Sequence, residues 1–137
     1  MDQLNRKIVD ALTQDARTPF LEISKRLGVS EGTIRNRVGK LLKHGAIRRF
    51  TVELGDAGGV SGVVCIKSDS HKGTTQVGEA LKRLSSQVGR VFEVSGEFDL
   101  ICIVDSPSVG EMNFLLERIR RSKGVLQTQT FMVMNRL

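Results

Sequence analysis

The sequence predicts an α+β protein of two modules: an N-terminal helix-turn-helix domain of winged-helix-like kind, then a ferredoxin-like βαββαβ domain. Three observations carry this expectation. Apolar residues recur at steps of three and four through residues 4–42, the period of helices with one buried face. A glycine-rich stretch, GDAGGVSG, breaks the pattern at 55–62. Beyond it, apolar runs and helical repeats follow in the order strand, helix, strand, strand, helix, strand. The expected boundaries are 1–53 for the first domain with a linker strand, 54–62 for a glycine-rich linker and 63–137 for the second domain.

Each element has a local reason. Asp2 precedes Leu4, Ile8 and Leu12 and suits an N-cap, so the first helix is expected over about 2–15. In RTPFLEISKRLG, Thr18 is the expected N-cap and Pro19 the first helical residue, where its missing N–H costs nothing. Phe20, Ile23 and Leu27 form the buried stripe, and Gly28 ends the helix. Ser30 caps a third helix, with Ile34, Val38 and Leu41 inward and Gly45 as its stop. AIRRFTVEL then alternates as a strand does. In the second module the strands are expected at 63–68, 90–95, 99–106 and 125–134, with helices at 74–87 and 108–122.

The strands VVCI and LICIV are apolar without interruption, although a four-stranded sheet with helices on one side should alternate. The second face therefore needs a cover. A second copy of the same sheet supplies it, which predicts a sheet-on-sheet homodimer.

Charge divides the chain in the same place. Residues 1–50 hold 11 Lys/Arg against 5 Asp/Glu, whereas residues 51–137 hold 10 of each, so the whole net charge of +6 lies in the first module. A polyanion is the natural partner. No stretch approaches the length of a membrane span and no apolar leader opens the chain, so a cytoplasmic protein without membrane attachment is expected. Cys65 and Cys102 sit singly inside apolar runs, which suits two buried thiols and offers no metal-ligand spacing; no metal site and no cofactor are expected.

Two helices joined by GVS, the second one basic, have the arrangement of a helix-turn-helix whose second helix enters a DNA major groove. The expected DNA-contacting set on that helix is Ser30, Glu31, Gly32, Thr33, Arg35, Asn36, Arg37 and Lys40, with Arg48 and Arg49 following it. Arginine matches guanine O6/N7, asparagine matches adenine N6/N7, and glycine lets the backbone approach. Ser24 occupies an early second-helix position that is commonly alanine in such motifs, and serine is small enough to fit.

From ARTPFLEISKRLGVSEGTIRNRVGKLLKHGAIRRFTVEL onward the resemblance becomes specific. This segment resembles the N-terminal domain of the Lrp/AsnC, or feast/famine, regulators, and SGEFDLICIV with GVLQTQTFMVM resembles that family's small-molecule-sensing domain. The resemblance spans essentially the whole chain. It implies a sequence-specific transcription regulator that binds double-stranded DNA, dimerises through its second domain, assembles further, for example to an octamer, and responds to an amino-acid-like effector. The family's Gly-x-Tyr-Asp turn falls on Gly96, Glu97, Phe98 and Asp99, and its paired threonines on Thr128 and Thr130. These six residues are the expected effector contacts. Phe98 lacks the hydroxyl of the family's tyrosine.

Two rivals stand beside that reading. An architectural DNA protein needs the same basic module but no effector site, and would rely on phosphate contacts alone. The architecture also resembles siroheme decarboxylases, but the two histidines, His44 and His71, have no acid/base or metal partner nearby in sequence. No nucleophile motif, phosphate loop or carboxylate pair is present, so no enzymatic activity is expected.

Overall fold

Short polar side chains start three of the helices, where the first N–H groups lack partners within the helix. Asp2 accepts from the Asn5 N–H at 2.8 Å and opens α1, Gln3–Gln14. Ser30 accepts from the Thr33 N–H at 3.1 Å and opens α3, Glu31–Lys43. Ser108 accepts from Glu111 N–H at 3.2 Å and opens α5, Val109–Arg120. The computed structural model describes residues 1–52 and 58–135, in two compact units, Met1–Leu54 and Gly55–Leu137.

Within the first unit, α2 covers Phe20–Leu27. Thr18 does not cap it: its hydroxyl turns back to the Asp15 carbonyl at 2.9 Å. Pro19 takes the cap position instead, and its carbonyl receives the Glu22 and Ile23 N–H groups. Gly28 ends the helix at φ 68°, a left-handed conformation that a side chain would oppose. Ile8, Leu12, Ile23, Ile34 and Val38 form the core of this unit.

The strand expected over 46–54 is not present in residues 46–52, and Glu53 and Leu54 lie outside the described residues. Ile47 explains the difference. Its N–H bonds the Leu41 carbonyl at 3.0 Å and its side chain packs on the three-helix core, so the segment folds back instead of pairing. Alternation predicts a strand only where another strand supplies the ladder.

The second unit runs β1 (Val60–Ser68), a 3-10 turn (Ser70–Lys72), α4 (Thr74–Leu84), β2 (Val88–Glu93), β3 (Leu100–Ser106), α5 and β4 (Val125–Met132). The 3-10 turn lies between the strand expected at 63–68 and the helix expected at 74–87, where the sequence predicts no element. Strand order is β2-β3-β1-β4 with antiparallel neighbours, the ferredoxin-like arrangement. Val64, Ile66, Leu100, Cys102 and Val104 point to one face and pack with Val77, Leu81, Met112, Leu115 and Ile119 of the two helices. The other face carries Val63, Cys65, Ile101 and Ile103 at its centre, flanked by Phe92 and Phe131, which are 48% and 52% exposed. No element among the described residues of this unit covers that second face.

Candidate functional site

Helix α3 is inserted by one side and displayed by the other. Ile34, Val38 and Leu41 are buried. At 3.6 residues per turn, the residues opposite them are Gly32, Asn36, Gly39 and Lys43, all exposed. A Cβ on Gly39 would meet nothing within 4 Å, and one on Gly32 only Ser30 Oγ at 3.9 Å. The displayed stripe is therefore narrow backbone at two positions with an amide and an ammonium between and after them. Lys43 joins it beyond the expected set, and its seven-residue spacing from Asn36 is the sequence signal for its place on this face.

The two arginines flanking that stripe are engaged. Arg35 bonds Glu31 at 2.6 Å and lies over the Phe20 ring at 5.6 Å from its centroid. Such an exposed pair on one helix is weak, which leaves the guanidinium exchangeable toward another acceptor. Arg37 is held from outside its helix: it pairs with Asp2 and donates to Asn5 Oδ1 at 3.0 Å. The Arg37 guanidinium and the Asn5 N–H together hold the Asp2 carboxyl below the usual carboxylate range. Around this pair lies a polar cleft of about 380 Å³ lined by Asp2, Asn5, Thr33, Asn36, Arg37 and Lys40. The sequence marks Asp2 only as an N-cap and gives Asn5 no role. Their part in the cleft depends on a contact across 35 positions of chain.

Ser30 spends its hydroxyl on the cap and on the Thr33 hydroxyl at 2.9 Å. Arg48 and Arg49 are exposed in the segment after α3. Ser24 is buried and donates to the Leu21 carbonyl at 2.8 Å, which is how the helix pair accommodates a hydroxyl there.

In the second unit, Gly96 turns the chain at φ 144°, with Glu97 exposed and Phe98 half-buried. The Val94 N–H donates to the Asp99 carbonyl at 2.9 Å and closes the turn. Asp99 Oδ2 accepts from the Ser68 N–H at 2.8 Å and from Ser68 Oγ at 3.4 Å, and Ser68 Oγ lies 3.1 Å from Thr74 Oγ1. Ser68 and Thr74 were not expected at this site. On the far side of β1, Thr128 faces Ile66 and Thr130 faces Val64. The loop and the threonines thus flank β1 on opposite sides, about 10 Å apart at two strand spacings. Within one chain β1 lies between them.

Among the described residues no group of three or more His, Cys, Asp or Glu is placed to hold a metal ion. No helix is long and apolar enough to cross a membrane. Both cysteines are free and buried, and burial, followed by the neighbouring Cys65, pushes the Cys102 thiol up to about 11.

Comparison with known proteins agrees with both halves. Residues 1–42 match the AsnC-type helix-turn-helix domain and residues 61–137 the Lrp/AsnC ligand binding domain. The HTH-type transcriptional regulator LysM of Sulfurisphaera tokodaii is 30% identical over 98% of this chain and 95% of its own length. The fold is shared with the leucine response regulatory protein LrpA of Mycobacterium tuberculosis, at a TM-score of 0.86, 24% identity, 99% of this chain and 94% of that one. It is also shared with the feast or famine regulatory protein Rv3291c of M. tuberculosis, described in complex with L-methionine, at a TM-score of 0.83, 24% identity, 98% of this chain and 92% of that one.

Proposed function

Because the chain belongs to the Lrp/AsnC family of transcriptional regulators, we propose that it reads DNA sequence in the cytoplasm with the displayed stripe of α3 and answers to an amino acid bound by its second domain. The observation that carries the reading is the stripe itself. Asn36 is a match for an adenine edge, Gly32 and Gly39 allow the helix backbone close to the bases, and Lys43 and Lys40 face phosphates. Arg35 exchanges Glu31 for a base or phosphate on binding, and Arg48 and Arg49 add backbone contacts. This assignment describes a regulator, with no catalytic role for any residue.

The open, apolar sheet face supports a homodimer, and a two-fold dimer places two copies of α3 on one operator. Half-site centres are then about 10–10.5 bp apart or a multiple of that. Selection of bound duplexes from a randomised pool tests the reading directly. The expected outcome is an imperfect palindrome, with Asn36→Ala relaxing preference at one base pair at a cost of about 1–3 kcal/mol, and Lys40→Ala weakening all sequences alike. Recovery of unselected DNA would instead identify an architectural binder.

The effector part draws support from the family match over 61–137 and from the fold-mate described with L-methionine. In this reading Gly96–Asp99 of one protomer and Thr128 and Thr130 of another form the pocket, since within one chain β1 separates them. Assembly and effector binding are then linked, because a pocket made at an interface binds only the assembled state. A thermal-shift screen of the twenty amino acids identifies the ligand by a raised midpoint.

A further inference from the structure

We propose that the cleft between the start of α1 and α3 seats a phosphate of the bound DNA backbone, and that Asp2 competes with that phosphate for Arg37. This rests on the DNA-binding reading and adds a regulating carboxylate to it. A helix with its side chains is about 10–12 Å across and the major groove about 12 Å wide, so a helix lying in the groove fills it and turns its flanks toward the two phosphate walls. Thr33, Arg37 and Lys40 form one such flank of α3, next to Asn36 on the displayed stripe.

That flank opens into the cleft of about 380 Å³, whose other wall is Asp2 and Asn5. The lining offers two cations, a hydroxyl and two amides against a single carboxylate. The carboxylate is bound as a phosphate would be: by a guanidinium from Arg37 and by an N–H of the first turn of α1 that has no partner within the helix, that of Asn5. Asp2 therefore stands in for the phosphate in the DNA-free protein. Lys40 is in no ion pair among the described residues and holds the cleft open to an anion. An approaching phosphate takes Arg37 from Asp2, and the carboxylate left beside it moderates the affinity for any duplex.

The test is a salt titration of the full-length protein on a random-sequence duplex. Asp2→Asn keeps a good N-cap, so the helix start survives while the charge is lost. The variant is expected to bind more tightly than wild type, with a log–log salt slope steeper by about 0.9 for each phosphate contact released. Its advantage therefore shrinks by about threefold per contact between about 50 and about 200 mM salt. Asp2→Ser, another good cap, should behave alike, and Arg37→Gln should remove most of the gain. Asp10→Asn makes the same charge change outside the cleft and should leave the slope near wild type. Unchanged or weaker binding by Asp2→Asn, or an equal gain from Asp10→Asn, would overturn the proposal while the DNA-binding reading stands. Failure of the wild type to bind any duplex would overturn that reading, and the proposal with it.

Discussion

Gly39 sits in the third turn of α3 where an alanine would meet no neighbour. Glycine in a helix interior is less stable than alanine by roughly 0.5–1 kcal/mol, so the fold alone has no use for it there. Gly39→Ala is expected to raise stability by about that amount, read by chemical denaturation. The same change is expected to weaken operator binding by about 1 kcal/mol or more, the worth of one good base contact, because the methyl group stands between backbone and base edge. Stability and binding moving in opposite directions is the signature; unchanged binding would place the bases elsewhere. Asp99 makes the contrasting case. Its carboxylate is committed to the Ser68 N–H and hydroxyl, so Asp99→Ala leaves the N–H of buried Ser68 unpaired and costs about 1–3 kcal/mol without any ligand present. Calorimetry of the variant with the stabilising amino acid then has to be compared with that baseline.

Strand β3 shows how an element shapes the chemistry of one side chain. Leu100, Cys102 and Val104 alternate into the helix-covered core while Ile101 and Ile103 face the other way. Cys102 is fully buried there, so its thiol keeps its proton up to about 11 against an ordinary value of 9.0. Between those values the folded chain holds a proton that the unfolded chain has lost, and stability falls as pH rises, by at most roughly 1.4 kcal/mol per pH unit. Urea unfolding measured at pH values from neutrality to about 11 is expected to show this decline, and Cys102→Val should flatten it. The uninterrupted apolar run that made this strand legible has no counterpart in 46–52. That segment alternates as a strand does, yet Ile47 is drawn onto the helical core and no ladder forms.

At the scale of the whole molecule, the sheet of the second unit has one face covered by α4 and α5 and one apolar face with Phe92 and Phe131 half-exposed. A patch of that kind on a protein in water marks an association surface. Phe131→Glu places a charge on it, opposite Val63 of β1, and is expected to shift the protein toward monomer in light scattering. The monomer should keep its fold, since the helix-covered core is untouched, and should lose cooperative binding to a two-half-site operator while retaining weak binding to one half-site. Association unaltered by that substitution would mean that the sheets are not what joins the protomers.

Five helices and four strands of the described residues were readable in advance, because caps, turn glycines and apolar spacing act over three to seven residues and are written locally. The division of charge was equally legible, since adding charges along a chain needs no geometry. The availability of those charges was not. Arg35 and Arg37 look alike in the sequence, but one pairs within its own helix and the other with Asp2 far upstream. The Asp99–Ser68 contact and the separation of the loop from Thr128 and Thr130 likewise depend on β1 lying between β3 and β4. Such pairings are decided by topology and close packing, which bring together residues that no local period relates; they exist only once the tertiary structure has formed.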